Sequence, residues 1–114
     1  MSEASIFHIT TAAAWEPARV DGHYRGDSLE TEGFIHCSKE HQVLEVANRL
    51  FGGRTDLIVL VIDPAKTTAD IVFENLEGGT ELYPHHYGPL PAEAVVDTRR
   101  LVVGAAGQIE WKSD

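Results

Sequence analysis

Leu57-Ile58-Val59-Leu60-Val61-Ile62 is an unbroken run of six apolar residues. A half-exposed strand alternates apolar and polar side chains, so a run without polar interruption predicts a strand covered on both faces, at the centre of a sheet. It is far too short to cross a bilayer, which takes about 20 apolar residues. Asp63–Pro64 turns the chain after it.

Just upstream, Val43, Val46, Ala47 and Leu50 recur at helical spacing, with Leu44 and Phe51 widening the stripe. This predicts a helix over Lys39–Phe51, capped by Ser38 and stopped by Gly52–Gly53. Glu45 and Arg49 stand at i,i+4 in the favourable order. Further upstream, Ala4–Ile9 reads as a first strand, and Thr10–Thr11 caps a short helix through Trp15, with Pro17 ending it early or sitting near its end. Asp21–Glu32 is polar and glycine-punctuated, and reads as a loop. Phe34–Cys37 is a short second strand. Downstream, Asp70–Glu74 alternates as a half-buried strand, Gly78–Gly79 marks a hairpin, and the chain returns through Glu81–Tyr83. Val95–Asp97, Leu101–Val103 and Gln108–Trp111 are expected as further short strands, with Trp15 and Trp111 as core or edge anchors. The fold class is α+β: small bent, mostly antiparallel β-sheets with two helices, in a single domain over residues 1–114.

Composition narrows the partners. The net charge is −9, and only nine residues are basic, with Arg99–Arg100 the sole adjacent pair. Phosphate-backbone binding needs clustered cations, so nucleic acid is disfavoured and a small molecule is expected instead. The single Cys37 excludes an internal disulfide and suits a reducing cytoplasm. Neither a signal-peptide pattern nor a membrane span is read, so a cytoplasmic location is expected.

Two segments stand apart from this scaffold: Gly33-Phe34-Ile35-His36-Cys37-Ser38 and Tyr83-Pro84-His85-His86-Tyr87-Gly88-Pro89-Leu90-Pro91. The second holds three of the five prolines and two of the six histidines. Stiff backbone beside titratable and aromatic side chains suits a pocket wall. Strand alternation puts His36 and Ser38 on one face and Ile35 with Cys37 on the other. The helix that follows would direct its N-terminal N–H groups and dipole toward the space near His36, favouring a carboxylate or phosphate there. The other reading is a packed strand-end histidine with Ser38 a plain cap. Of His85 and His86, one is expected to face solvent, with His85 the inward one. A rigid surface turn is the alternative reading of that segment.

Glu74 ends a strand from which it can aim a carboxylate at the same cleft, with an exposed strand carboxylate the equally weighted alternative. Cys37 reads as a small buried hydrophobe rather than a nucleophile. A metal set of His36 with His85 or His8, plus Glu74, requires the fold to unite them, since no close-spaced ligand motif is present. No Gly-x-Ser-x-Gly elbow or glycine-rich phosphate loop exists.

Taken together, His8, the Gly-Phe-Ile-His-Cys-Ser segment, Gln42, Ala47–Asn48, Glu74 and Pro-His-His-Tyr-Gly-Pro-Leu resemble a group of short bacterial proteins. These are the family called domain of unknown function 952, grouped with ADP-ribosyltransferase-like folds. Phe-Ile-His-Cys-Ser is also similar to the His-Leu-Ser segment of NAD-dependent RNA 2′-phosphotransferases. The resemblance implies a cleft between two bent sheets and NAD as cofactor or substrate. It implies His8 as a ribose contact, Glu74 as the catalytic glutamate, and Tyr24 or Tyr87 as the nicotinamide-stacking tyrosine. The phosphate-holding arginines of the RNA enzymes have no clear counterparts, so their activity is not implied. The expected site is therefore His36, Glu74 and His85 for chemistry, and His8, Tyr24, Ser38 and Tyr87 for binding. NAD or nucleotide-derivative binding, with ADP-ribosyl transfer or glycohydrolysis as its chemistry, leads. A non-enzymatic metabolite sensor and a histidine-based metal-binding protein are the competitors.

Overall fold

The computed structural model describes residues 4–113. Its first half runs β1 (Ile6–Thr11), α1 (Ala12–Asp21), β2 (His23–Tyr24), α2 (Gly26–Glu32), β3 (Ile35–His36) and α3 (Val43–Phe51). The second half is all strands: β4 (Leu57–Ile62), β5 (Asp70–Glu74), β6 (Tyr83–Tyr87), β7 (Leu90–Pro91), β8 (Val95–Val103) and β9 (Ile109–Trp111). All the strand pairings are antiparallel. They form a sheet in the order β1-β4-β8-β9, a pair β2-β7, and a sheet β3-β6-β5. Among the described residues no helix is long and apolar enough to cross a membrane.

The apolar run Leu57–Ile62 is β4, interior to the first sheet. Its side chains alternate between two cores. Leu57, Val59 and Val61 pack with Phe7, Ile9, Val43 and Ala47 on the α3 side. Leu60 and Ile62 pack with Ile6, Trp15, Ile35 and Cys37 on the other. Each fully buried Leu or Ile contributes about 1.5–3 kcal/mol, against about 0–1 kcal/mol for an exposed ion pair. The two cores therefore set the fold, and the surface pairs decorate it.

Several elements depart from the sequence expectation. There are three α-helices among the described residues rather than two, and the bent sheet is divided into separate sheets. Pro17 lies inside α1, which continues to Asp21 and closes on Gly22 at φ 98°. The proline forfeits one N–H bond, while Trp15 and Ala18 on either side of it stay anchored in the core. The expected loop Asp21–Glu32 folds into β2 and α2; Tyr24 is buried and Leu29 packs beside its core. Val95–Asp97 and Leu101–Val103 are one strand, β8, carried past its exposed middle by pairing to β4. Leu50, assigned to the buried stripe of α3, is exposed, and Val43 and Ala47 carry the contact. In β5, Val72 and Phe73 are both exposed because the strand is a sheet edge.

The proline-rich segment is not a turn. Its first half is β6, interior to the third sheet, with Pro84 buried. The Pro84 carbonyl accepts from Cys37 N–H at 3.1 Å. Its nitrogen lies on the same side, just past the two-residue ladder of β3, where no donor is required. Gly88 follows at φ 150°, with room for a Cβ only at 3.2 Å from Ala69.

The two larger sheets touch through one backbone pair. Phe7 N–H donates to the Ser38 carbonyl at 2.9 Å, and Ser38 N–H donates to the Phe7 carbonyl at 2.6 Å. Ser38 is thus a strand partner. The helical segment is instead entered at Lys39, whose N–H donates to Gln42 Oε1 at 2.8 Å, through a 3₁₀ turn over Glu40–Gln42. Continuing the ladder from Phe7 and Ser38 would pair Ile9 with His36. Instead, His8 Nδ1 lies 2.5 Å from the His36 carbonyl, and β3 departs to pair with β6. A carbonyl only accepts, so Nδ1 carries the proton. The Nε2 lone pair then takes the Tyr24 O–H, 2.8 Å away, and Thr10 Oγ1 sits 2.9 Å from the same phenol oxygen.

Burial drives His8 from its ordinary 6.5 down to about 4, with the His36 carbonyl opposing and the nearby His36 and His86 imidazoles adding to it. Between about pH 4 and pH 6.5 the unfolded chain binds a proton at this position that the folded chain refuses. Stability therefore falls as pH falls through that window. The full difference is worth roughly 3 kcal/mol. His86, also lowered chiefly by burial, acts in the same direction. Urea titrations at neutral and mildly acidic pH should show the midpoint dropping in acid, and dropping less in His8→Gln. An equal drop in both would remove His8 from the acid response.

Candidate ligand-binding cleft

Where the sheets part, a cleft of about 720 Å³ opens along the free edge of β1. That is within the range of small-molecule sites, roughly 300–1,000 Å³. His8, Tyr24, His36, Ser38 and His85 all line it, so five of the seven expected site residues converge. Glu74 and Tyr87 do not line it.

His85 is the centre of the polar wall. Alternation along β6 turns it toward the cleft, where Phe34 stacks on its ring at 4.2 Å and 17°. His36 meets it edge-on at 5.2 Å and 77°. Behind it, His85 Nδ1 lies 2.8 Å from Glu74 Oε2, and Tyr87 O–H donates to the same carboxylate oxygen. The Tyr87 bond, then the His85 bond, hold the Glu74 carboxyl below its ordinary value, and the same contact raises the Tyr87 phenol. An ionised carboxylate only accepts, so Nδ1 carries the proton of neutral His85 and Nε2 presents a lone pair to the cleft. Glu74 and Tyr87 thus stand behind an imidazole, a positioning pair rather than groups aimed into the cleft.

His36 is wired the opposite way. Its Nε2 lies 3.0 Å from Glu32 Oε2 at the end of α2, which leaves Nδ1 free. The side chain is 53% exposed, so it forms the rim while His85 forms the wall. The alternation read from sequence holds for Ile35 and Cys37, both in the core. Burial pushes the Cys37 thiol far up, which removes it as a nucleophile.

Three expectations need correction, and one conditional reading is not met. Both histidines of the His85–His86 pair are buried, not one. His86 faces away from the cleft, with Nδ1 donating to the Gly88 carbonyl at 2.9 Å and Nε2 2.9 Å from the Thr67 hydroxyl. Tyr24 is buried and held by His8 and Thr10, so its face is committed to the core rather than open for stacking. The start of the Lys39–Phe51 segment does not line the cleft; the Lys39 amide is already satisfied by Gln42. Finally, the metal set is not assembled. Both His8 nitrogens are occupied, and among the described residues no group of three or more potential ligands converges.

Sequence reasoning missed Phe34, Glu32, Arg49 and Arg54 as cleft residues. Arg49 was assigned to Glu45, a pairing that exists at 3.4 Å, but its guanidinium also reaches the Tyr83 hydroxyl at 3.5 Å. Arg54 is gripped by Asp56 at 2.9 and 2.6 Å. Glu32 ends α2 and meets His36 of β3 across the turn at Gly33, a contact that no helical or strand periodicity in the sequence marks. If Glu74 fixes the His85 tautomer, imidazole ¹⁵N shifts should show a single Nδ1–H form of neutral His85. Glu74→Ala should let the Nε2–H form appear, and an unchanged spectrum would remove the carboxylate from that role.

Comparison with known proteins places these features in a group. No curated protein matches the chain. A crystal structure of protein CC0527 from Caulobacter crescentus matches with a TM-score of 0.82 at 29% identity, covering 94% of each chain. A double mutant of the same protein matches with a TM-score of 0.81. Its solution NMR structure matches with a TM-score of 0.78 at 30% identity, covering 91% of this chain and 90% of that one. The family model described as protein of unknown function (DUF952) matches residues 9–98, most of the chain, and the chain belongs to that family.

Proposed function

We propose that the protein binds a nucleotide derivative, with NAD the first candidate, in the cleft between β1 and β3. One observation carries this reading: the interrupted ladder at Ile9. Phe7 exchanges both its backbone groups with Ser38, so alternation turns the N–H and C=O of Ile9 toward the same side. There His8 has taken the His36 carbonyl, and among the described residues nothing pairs with the Ile9 backbone on that edge. A donor and an acceptor on one residue are the complement of a primary carboxamide such as that of nicotinamide. Ile9 lines the cleft beside His36, and Arg49 and Arg54 supply cations on its wall for phosphates.

The cleft volume suits such a ligand, and the likeness to ADP-ribosyltransferase folds stated above supports the same choice. In this reading His8 contributes indirectly, as the wedge that frees Ile9, because both its nitrogens are engaged. His36 and Ser38 border the bound ligand, and His85 with its Glu74 support stabilises charge developing at the anomeric carbon. Binding without turnover, as a metabolite sensor, is the second reading. It is favoured by the place of Glu74, which stands behind His85 rather than in the cleft.

NAD titration followed by amide and imidazole NMR is expected to shift the Ile9 amide together with His36 and His85. Released nicotinamide would mark an enzyme, and shifts without release a sensor. Unmoved signals at millimolar NAD would overturn the NAD assignment.

A further inference from the structure

The structure assigns His36 and His85 a joint role: we infer that they form a general acid–base pair for hydrolysing a cyclic phosphodiester of a nucleotide. This rests on the reading of the cleft as a nucleotide site and names its chemistry.

The two rings meet at 5.2 Å, and each is tied to its own carboxylate through a different nitrogen. His85 uses Nδ1 on Glu74 and presents Nε2; His36 uses Nε2 on Glu32 and presents Nδ1. Their surroundings differ as an acid and a base require. His85 is buried against Phe34 with one carboxylate shared by Tyr87, whereas His36 is on the rim beside Glu32, open to solvent protons. The charged and titratable groups bonded to the pair are Glu74 on β5 and Glu32 on α2, with Tyr87 acting through Glu74 and each imidazole facing the other.

Among the described residues no hydroxyl or thiol side chain is hydrogen-bonded to either imidazole, so the nucleophile is water. The second histidine then discriminates between substrates. Nicotinamide leaves its glycoside as a neutral molecule and needs no proton. A ribose oxygen leaving phosphorus departs as an alkoxide and does need one. A cyclic phosphate therefore uses both groups, and its single negative charge suits the arginine-bearing cleft.

The step balances without a co-reactant. Water attacks phosphorus while His85 Nε2 takes one of its protons, forming a P–O bond. The P–O bond to the ribose 2′ oxygen breaks as His36 Nδ1–H protonates that oxygen. The product is a phosphomonoester, and exchange with solvent resets both rings.

Adenosine 2′,3′-cyclic phosphate is the probe, with ³¹P NMR reading turnover and imidazole shifts reading binding. The expected result is conversion to a monoester with a bell-shaped pH–rate profile. His85→Asn should cost about 10²–10⁴-fold and flatten the acidic limb; His36→Asn should slow the reaction and flatten the alkaline limb. His36 is exposed, so its variant keeps the test valid should the buried His85→Asn fail to fold. Bound probe that is never hydrolysed, or turnover indifferent to both substitutions, would overturn the acid–base pair while leaving the nucleotide site standing. If neither this probe nor NAD moves the cleft histidines, the nucleotide reading falls and takes the pair with it.

Discussion

The two hydrogen bonds between Phe7 and Ser38 are where the architecture is decided. They fasten β1 to the chain leaving β3 for a single residue pair, and everything distinctive about the cleft follows from the ladder stopping there. A longer ladder would merge the sheets and bury the Ile9 and His36 backbone groups against each other. The His8 side chain prevents that by taking the His36 carbonyl itself. An imidazole is suited to this substitution because one neutral ring supplies a donor on one side and an acceptor on the other. The acceptor side is closed by Tyr24, with Thr10 beyond it, so among the described residues no polar side-chain atom is stranded in the core. Neutrality is a condition of the arrangement: a protonated His8 would turn its Nε2 from acceptor to donor against Tyr24 and bring an uncompensated charge into the core.

The overall acidity of the protein and the presence of arginines in the cleft are compatible through local pairing. Arg54 lies against Asp56 and Arg49 against Glu45, each at a solvent-exposed position. Such pairs are weak, and an anionic ligand has only to compete with one carboxylate and water for each guanidinium. The histidines are arranged differently. The contact of His85 with Glu74 is largely buried, so it holds a tautomer and a ring orientation that solvent does not scramble. Phe34 restricts the same ring from its face. One wall of the cleft is thus rigid, while the arginines and His36 remain free to adjust.

The scaffold was largely legible because its signals are local. The run Leu57–Ile62 announced a strand with two covered faces, and the spacing Val43–Ala47 announced the helix on one of them. The failures share a cause: tertiary contacts overrode a local rule. Pro17 was read as at or near a helix end, but burial of Trp15 and Ala18 keeps α1 continuous through it to Asp21. Pro84 left a turn open as the alternative reading and hid the strand, but its missing donor falls where β3 has already ended. The polar stretch from Asp21 to Glu32 folds because Tyr24 has a partner sixteen residues earlier in His8. No window of sequence contains both.

The site followed the same division. Facing directions within one strand were readable, so Ile35 and Cys37 went to the core, His36 to the cleft, and His85 inward on β6. What a side chain touches across strands was not. Glu74 was expected to face the ligand because alternation puts it on the same face as Val72, opposite Ile71 and Phe73. That face is indeed the face of His85, since Val72 registers with His85 across the β5–β6 pair. A carboxylate two residue pairs along the ladder, on the same face, meets the imidazole before it meets the cleft. Register therefore turns Glu74 from a ligand contact into the support of one, and the chemistry of the cleft passes to the nitrogen that this support leaves free.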